Sequence, residues 1–286
     1  MALEVSYYPG CSLEGVAREY GESVEAVARI LGIDLKELKD WTCCGAASAH
    51  AADDGLALAL PARNLETADR AGLDLVVPCA ACYSRLKTAD KALRAGTKIE
   101  GVSDGYKGDF SVKHFVDFVW EQVGEKAIRD KVRKPLLGLE SVCYYGCLIT
   151  KPPQITGAAD PDNPESMDNI LEALGAEVKN WSYKTDCCGA EHVLTMPEVA
   201  WKMMQRLFDM AQEAGAEAMV VACPMCHSNL DSHQGEISAQ AGKRFNVPVF
   251  YFTELMGLAF GDPSVEKWFA RHFVDPRPLL REKGLL

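Results

Sequence analysis

The feature that most constrains this chain is a pair of adjacent cysteines that occurs twice. The first copy reads D-W-T-C-C-G-A, from Asp40 to Ala46, and the second reads T-D-C-C-G-A, from Thr185 to Ala190. A shift of 144 residues places four cysteines on four others without a gap: Cys43, Cys44, Cys79 and Cys82 on Cys187, Cys188, Cys223 and Cys226. A period of this length indicates a doubled domain and not a solenoid of short repeats.

The residues around the cysteines repeat as well. V-V-P-C-A-A-C-Y-S-R-L in the first half matches V-V-A-C-P-M-C-H-S-N-L in the second, and Y-Y-P-G-C, ending at Cys11, resembles Y-Y-G-C, ending at Cys147. Each half therefore has five related cysteines, and Cys143 is left over. We predict that Cys143 is a core residue on a strand. Its position four residues before Cys147 leaves open a role as a substitute ligand.

Composition narrows the class of protein. The 286 residues suffice for one large domain or two medium ones, and 48% hydrophobic and 25% charged residues are typical of globular chains. A net charge of -11 argues against binding to nucleic acid. The apolar runs are too short to span a bilayer and the first residues do not resemble a signal peptide, so we expect a cytoplasmic protein without direct membrane insertion. In a reducing cytosol, eleven cysteines favour metal binding or redox catalysis over structural disulfides.

Strands alternate with helices in both halves, which predicts an α/β fold with parallel pairing. We expect strands over 3–8, 73–77, 141–145 and 218–222, and helices over 22–31, 53–71, 167–174 and 197–214. Cys11 is expected in a turn after the first strand. The other cysteines also follow strands, and α/β folds usually place their functional sites at strand ends.

A charged segment ending in proline, 121–135, is the expected boundary between two domains, 1–134 and 135–286. A second irregular segment, 151–166, follows Cys147 and contains four prolines, which exclude a helix through it. Long loops are often functional, and a plain surface excursion is the alternative.

Five thiols in each half restrict the chemistry. A C-x-x-C pair can hold zinc, an iron–sulfur cluster or a redox disulfide, but zinc in structural sites and cubane clusters each take four ligands, so one thiol would be left over. Adjacent cysteines suit different metal atoms of a larger cluster, and the glycine after each pair allows close approach of the backbone. Iron–sulfur binding is the favoured interpretation. Zinc, a metal-free dithiol and inert buried cysteines are the alternatives.

Three of the six histidines lie near the cysteine motifs: His50, His192 and His227. His192 or His227 could deliver a proton to a leaving thiolate, although packing is the simpler role for both. Arg85 and Lys151 could pair with an anionic substrate, but isolated basic residues are common and we assign them no role.

The spacing C-x(31)-C-C-G-x(33)-C-x-x-C in the first half, and C-x(39)-C-C-G-x(33)-C-x-x-C in the second, resembles the cysteine-rich CCG domain. Two such domains in one chain resemble the B-type subunit of CoB–CoM heterodisulfide reductase, over most of the chain from Tyr7 to about Leu230. The resemblance implies an α/β fold of two duplicated CCG domains, each a small parallel sheet flanked by helices and related by a pseudo-twofold. It also implies two non-cubane [4Fe–4S] clusters. The first would be held by Cys11, Cys43, Cys44, Cys79 and Cys82, and the second by Cys147, Cys187, Cys188, Cys223 and Cys226.

The resemblance further implies a disulfide oxidoreductase subunit. A disulfide of the CoM-S-S-CoB type would be split between the clusters by a homolytic-type cleavage, with each cluster taking one sulfur. The expected partners are an A-type flavin subunit and a C-type [4Fe–4S] subunit. The alternatives are an electron-transfer CCG module of a dehydrogenase or quinone reductase, a sulfur-oxidising heterodisulfide reductase-like complex, and a structural zinc site in one half.

Overall fold

A computed structural model describes residues 3–103 and 105–286, apart from the side chain of Ala47. The strands are β1 (Leu3–Tyr7), β2 (Ile33–Glu37), β3 (Leu75–Val77), β4 (Val112–His114), β5 (Glu140–Tyr144), β6 (Glu177–Val178), β7 (Ala218–Val221) and β8 (Val249–Tyr251). They form two four-stranded sheets, in the orders β2-β1-β3-β4 and β6-β5-β7-β8. Every pair of neighbouring strands is parallel, so the predicted α/β fold with parallel sheets is confirmed.

Helices flank both sheets. In chain order they are α1 (Cys11–Glu14), α2 (Arg18–Leu31), α3 (Ala46–Ala52), α4 (Asp54–Ala71), α5 (Ala80–Arg94), α6 (Phe115–Phe118), α7 (Gly124–Arg129), α8 (Pro153–Thr156), α9 (Ser166–Ala173), α10 (Pro197–Glu213), α11 (Pro224–Ser232), α12 (Gln234–Ala241), α13 (Phe252–Phe260), α14 (Val265–Phe269) and α15 (Arg277–Glu282). A π-helical turn covers Val119–Val123 and a 3-10 turn covers Ala190–His192. Within the described ranges, no helix has both the length and the apolar character needed to cross a bilayer.

The predicted elements correspond to β1, β3, β5 and β7, and to α2, α4, α9 and α10, although α2 begins four residues earlier than expected, at Arg18. The strands β2, β4, β6 and β8 were not predicted. β2 carries charged residues at three of its five positions, and the other three have only two or three residues, so they show no clear alternating pattern.

Two local expectations were wrong or incomplete. Cys11 was expected in an irregular turn, but it is the first residue of α1, a helix of four residues. The proline-rich segment 151–166 contains the helical turn α8, which begins at Pro153, a position where the missing N–H of proline is not needed. The segment expected as a linker contains α7, and the boundary between residues 134 and 135 stays a prediction.

The strand order explains where the cysteines lie. β1 and β3 are neighbours in the first sheet, but the chain continues from β1 to one side and from β3 to the other. Such a switch point leaves a crevice at the carboxyl ends of the two strands. Cys11 follows β1 and Cys79 follows β3, while Cys147 and Cys223 follow the equivalent strands β5 and β7. The topology therefore directs both sets of cysteines to the switch points.

The two halves pack against each other through a shared core. α2 of the first half packs against α13 and α14 of the second, and buried residues of both halves belong to one continuous hydrophobic cluster. The hydroxyls of Ser23 and Thr253 form a buried hydrogen bond of 2.6 Å across this contact. The amphipathic α2 is thus the element that fixes one sheet relative to the other.

A buried ion pair attaches the C-terminal segment to this core. His272 Nε2 lies 2.9 Å from Glu254 Oε1, and neither side chain is exposed. The other Glu254 oxygen accepts the Tyr251 amide, while Asp231 accepts the amides of Phe273 and Val274. Burial alone would lower the pKa of His272, but Glu254 and then Asp231 outweigh it and raise that pKa to about 9.

We predict that this pair makes stability depend on pH. A raised pKa means that the stabilisation is complete below the unfolded value near 6.5 and is lost as the pH rises through about 9. The free energy of unfolding should fall on the order of 3 kcal/mol over this window in the native chain, and less in His272→Gln. Thermal unfolding followed by circular dichroism at several pH values measures this, with the exposed His50→Gln as control. Equal pH slopes in the native chain and His272→Gln would contradict the prediction.

Candidate metal centres

The first group of five thiols collects at the carboxyl ends of β1 and β3. The sulfurs of Cys11 and Cys43 are 3.7 Å apart, and those of Cys44 and Cys82 are 3.4 Å apart. Cys79 hydrogen bonds with Cys82, which raises the pKa of Cys82 after the larger contribution from Cys44. The five residues that the sequence predicts as one ligand set therefore lie together.

The second group has the same arrangement. The sulfurs of Cys188 and Cys226 are 3.7 Å apart, and a hydrogen bond joins Cys147 to Cys187. Cys223 hydrogen bonds with Cys226, which lowers the pKa of Cys223 well below its ordinary value. The structure brings all ten predicted ligands into two groups of five, and their role as ligands stays a prediction.

The two groups meet at equivalent residues. Cys79 interacts with Cys223 across the boundary between the halves, and this interaction is the main reason that the pKa of Cys79 is well above its ordinary value. Two equivalent residues of a duplicated fold contact each other only close to the axis that relates the copies. The contact therefore places the predicted pseudo-twofold axis between the two C-x-x-C turns.

A glycine makes room for one thiol in each half. Gly10 has a φ of +78°, and a Cβ there would lie 3.0 Å from the sulfur of Cys82. Gly146 has a φ of +67°, and a Cβ there would lie 3.1 Å from the sulfur of Cys226. Both the backbone conformation and the space exclude larger residues, so these glycines hold the turn after the first strand against the C-x-x-C thiol.

The glycine after each cysteine pair serves two purposes. The amide of Gly45 donates to the sulfur of Cys43 at 3.4 Å, and that of Gly189 donates to Cys187 at 3.3 Å. A Cβ on Gly45 would lie 2.6 Å from Ala49, and one on Gly189 would lie 3.0 Å from Ala200. The close approach anticipated from the sequence is thus an approach to a neighbouring helix, combined with an amide that stabilises negative charge on sulfur.

A buried tyrosine anchors each cysteine pair. The hydroxyl of Tyr8 donates to the carbonyl of Thr42, and that of Tyr144 donates to the carbonyl of Asp186, both at 2.7 Å. Thr42 and Asp186 directly precede the pairs, so the same hydrogen bond fixes the same loop twice. The aligned segments Y-Y-P-G-C and C-Y-Y-G-C, shifted by 136 residues, contain this signal, because Tyr8 then matches Tyr144.

Each group contains thiols of raised pKa and thiols of lowered pKa. The interaction with Cys82 lowers the pKa of Cys44 to about 7, and the interaction with Cys147 lowers the pKa of Cys187 to about 6. The partners Cys82 and Cys147 have raised pKa values because of the same contacts. A group of thiols this dense cannot all ionise without a cation, and thiolates are strong ligands for soft metals.

Exposure differs from one side of the groups to the other. Cys11, Cys43 and Cys187 are exposed and Cys147 is partly buried. The remaining six are buried: Cys44, Cys79, Cys82, Cys188, Cys223 and Cys226. Small molecules can therefore reach the first cysteine of each pair, whereas the C-x-x-C thiols face the protein interior.

Cys143 has a different environment from the ten. It lies inside β5, fully buried, where it pairs with Val220 of β7. The next residue, Tyr144, lies near the second group of five thiols. Because side chains alternate along a strand, Cys143 points to the opposite face of the sheet, where Asp168 lies beside it. This position supports the interpretation of Cys143 as a core residue.

The histidines and basic residues near the motifs have separate positions. His50 is exposed, whereas His227 is buried with Nε2 2.9 Å from the Val249 carbonyl, and burial lowers its pKa well below the ordinary value. His192 is partly buried in the 3-10 turn and contributes to the lowered pKa of Cys187, after the larger effects of Cys147 and the Gly189 amide. Arg85 donates to the Ala46 carbonyl, and Lys151 pairs with the exposed Asp162.

One repeated feature around the site was missed from the sequence. H-F-V-D-F, beginning at His114, and Y-F-T-E-L, beginning at Tyr251, occupy the same place after the fourth strand of each sheet. In the first half Tyr83 packs against His114, and in the second His227 stacks on Tyr251 at 4.1 Å. Tyrosine and histidine have exchanged positions, and this segment is shifted by 137 residues instead of 144, which hides the correspondence in a fixed-shift comparison.

The segment 151–166 connects the halves next to the site. The hydroxyl of Tyr83, directly after Cys82, donates to the Thr156 carbonyl at 3.2 Å, and Lys91 donates to the Gln154 carbonyl at 2.7 Å. Lys184 donates to the Pro164 carbonyl and pairs with Asp168. The segment is therefore bound to α5 of the first half and to the second half, and is more than a free surface excursion.

Fold and thiol groups together define a duplicated, cysteine-rich α/β protein. The profile of the cysteine-rich (CCG) domain matches residues 5–87 and 142–231, which together are more than half of the chain. The chain belongs to this family, and two copies of the domain are present.

Two relatives match almost the whole chain. The "8-methylmenaquinol:fumarate reductase membrane anchor subunit" of Wolinella succinogenes is 33% identical over 98% of this chain and 100% of its own length. The B-type subunit of the "Ferredoxin/F(420)H(2)-dependent CoB-CoM heterodisulfide reductase" of Methanosarcina acetivorans is 26% identical over 90% of this chain and 89% of its own length. The resemblance to the B-type subunit of heterodisulfide reductase is thus confirmed.

A crystal structure of a hypothetical protein from Helicobacter pylori has the same fold. It superimposes with a TM-score of 0.75 at 12% identity over 95% of this chain. The chain spans about half of that protein, 52% of its length, and the likeness concerns the fold alone.

We predict that Gly10→Ala lowers the metal bound by the first thiol group, because the added methyl would displace the Cys82 sulfur. Gly96→Ala is the matched control, since Gly96 has the same φ of +78° but no heavy atom within 4 Å of the added Cβ. Both variants should lose roughly 1 kcal/mol of stability from backbone strain. Metal analysis after anaerobic purification should show a loss of up to half of the bound metal in Gly10→Ala only. Equal metal content in the two variants would contradict the prediction.

Proposed function

We propose that the chain is the iron–sulfur subunit of a redox complex, with one cluster bound by each group of five thiols. The observation that carries this proposal is the repeated group itself, in which recorded sulfur–sulfur distances are 3.4–3.7 Å. Thiolates are the usual ligands of iron–sulfur clusters, and five per group exceed the four that a zinc ion takes.

The surroundings of the thiols fit such clusters. Gly10 and Gly146 leave room next to the C-x-x-C sulfur, and the amides of Gly45 and Gly189 donate to the first sulfur of each pair. Hydrogen bonds to cluster sulfurs are among the ways in which a protein tunes a cluster. The proposed ligands are Cys11, Cys43, Cys44, Cys79 and Cys82 for one non-cubane [4Fe–4S] cluster, and Cys147, Cys187, Cys188, Cys223 and Cys226 for the other.

The proposed reaction is the reduction of a disulfide. One disulfide, two electrons and two protons give two thiols, and the electrons come one at a time from partner subunits. When bound, the clusters supply one-electron donors with iron that can take an external sulfur. A disulfide would approach the side where Cys11, Cys43 and Cys187 are exposed.

Protons in this reaction would reach the product thiolates from the exposed side. His227 is buried and neutral, with Nε2 engaged by the Val249 carbonyl, so it is not suited to deliver them. His192 lies near Cys187, and we propose it as the proton donor next to the second group.

An A-type flavin subunit and a C-type [4Fe–4S] subunit are the proposed partners, and a cytoplasmic location stays a prediction.

A second candidate function is electron transfer between a quinol and a dehydrogenase, without disulfide chemistry. The observation that favours it is the similarity to the menaquinol:fumarate reductase subunit, which extends over the full length of that relative at 33% identity. The same ten cysteines would hold the clusters, and the exposed thiols would face a redox partner instead of a disulfide.

We predict that Cys82→Ser and Cys143→Ser separate ligand from core cysteine. The native chain, purified without oxygen, should contain roughly eight irons, and Cys82→Ser should retain about half of them because only the first group is damaged. Cys143→Ser should keep the iron of the native chain and lose stability alone, since its thiol is buried on the other face of β5. About four irons in the native chain would refute the two-cluster proposal.

We predict that the complex reduces a disulfide in the presence of an artificial one-electron donor, with two electrons consumed per disulfide. The measurement follows donor oxidation and thiol formation together, using a panel of small disulfides and a quinone as the competing acceptor. Reversible cluster reduction with turnover of the quinone and of no disulfide would establish the second candidate instead.

A further inference from the structure

A single side chain connects the two C-x-x-C turns. Tyr20, in α2, is fully buried, and its hydroxyl lies 2.9 Å from the Pro78 carbonyl and 3.4 Å from the Ala222 carbonyl. Pro78 and Ala222 directly precede Cys79 and Cys223, and they are equivalent residues of the two halves. One phenolic proton is therefore shared between the same carbonyl of both halves.

These two carbonyls depend on side chains for their hydrogen bonds. Among the described residues, none of the backbone hydrogen bonds in turns, loops and caps ends on Pro78 or Ala222. His114 also lies near both carbonyls, but its Nδ1 accepts the Val116 amide and its Nε2 makes no hydrogen bond within the described residues, so the Tyr20 hydroxyl is the side-chain donor to both. A buried carbonyl without a partner is costly, so loss of the Tyr20 hydroxyl affects both turns at once.

The second half fixes the position of the Tyr20 ring. The ring stacks on Tyr251 at a centroid distance of 4.1 Å with an interplanar angle of 3°, and Tyr251 stacks in turn on His227. His227 directly follows Cys226, and Ser23, one turn after Tyr20, hydrogen bonds with Thr253. The hydroxyl therefore belongs to the first half by sequence but is positioned by the second.

We propose that Tyr20 is a positioning residue that sets the separation of the Cys79 and Cys223 turns and thereby the electronic interaction between the two metal centres. This inference rests on the proposed function, because it requires a cluster in each half. The hydroxyl acts as a donor only, since burial raises the pKa of Tyr20 well above its ordinary value. Interaction between paramagnetic centres and the rate of electron exchange both fall steeply with distance, so a small separation of the turns is measurable.

The test is Tyr20→Phe in the complete protein, which keeps the ring and its stacking and removes only the hydroxyl. Iron content and circular dichroism are measured first, to show that both centres are present in a folded chain. Electron paramagnetic resonance of the reduced protein then reports the broadening and relaxation that each centre causes in the other. We expect Tyr20→Phe to weaken this interaction at least two-fold.

Tyr8→Phe is the matched control, because the Tyr8 hydroxyl is also buried near the thiols but donates to a single carbonyl within the first half. It should alter the spectrum of one centre and leave the interaction between the centres unchanged. Replacement of Tyr20 by 4-aminophenylalanine, which restores a donor at the same place, should recover the native interaction.

The outcomes separate this inference from the proposed function. Two centres whose interaction is the same in Tyr20→Phe and the native protein would overturn the role of Tyr20 and leave the clusters in place. A native protein with a single iron centre would refute the proposed function itself. If Tyr20→Phe fails to fold, the 4-aminophenylalanine protein decides, because a folded protein with a weakened interaction would contradict positioning by a donor.

Discussion

Repulsion between closely spaced sulfurs is the constraint on which the rest of this structure depends. The sulfurs of three pairs of thiols are 3.4–3.7 Å apart, and two of these pairs are buried. Negative charge on such thiols is unfavourable in a protein interior unless cations or donors compensate it. The chain itself offers several backbone amides, among them those of Gly45 and Gly189, and contacts between thiols of raised and lowered pKa. Positive charge from a bound metal would complete this compensation, and the proposed iron–sulfur clusters would supply it.

The duplication explains why the two groups can meet, and also why their surroundings differ. Residues away from the axis can do the same work in both halves, as Tyr8 and Tyr144 do when they hold the loop before each cysteine pair. A side chain on the axis can come from one half only, because two copies would occupy the same space. Tyr20 is such a residue, and its hydroxyl contacts the carbonyls of residues 78 and 222. The second half contributes a different side chain at this place, Tyr251, which stacks on the Tyr20 ring.

The sequence predicts those parts of the fold in which the hydrophobic pattern or the spacing is strong. The duplicated cysteines, the strands before them and the longest helices are of this kind, because a shift of 144 residues and amphipathic periods are visible in one chain. The edge strand β2 escapes prediction because charged residues occupy three of its five positions, and β6 escapes it because it has only two residues; both gain their pairing from the neighbouring strand. The contact of Tyr20 with residue 222 joins residues 202 positions apart, and no local pattern reports such a contact.

The site has an exposed side and a buried side, and this polarity agrees with a redox role. The first cysteine of each pair is exposed, while Cys79 and Cys223 are buried and interact with each other. A substrate that gains electrons must reach the centres from solvent, whereas exchange between centres benefits from a short, rigid and dry connection. The C-x-x-C turns lie at the beginning of helices α5 and α11. The distance between the two turns is therefore set by packing of the core and by the Tyr20 hydroxyl, and does not depend on what binds at the exposed side. Under the proposed function, either a disulfide or a quinol-linked acceptor could therefore be served at the exposed side without a change in the contact between the two halves.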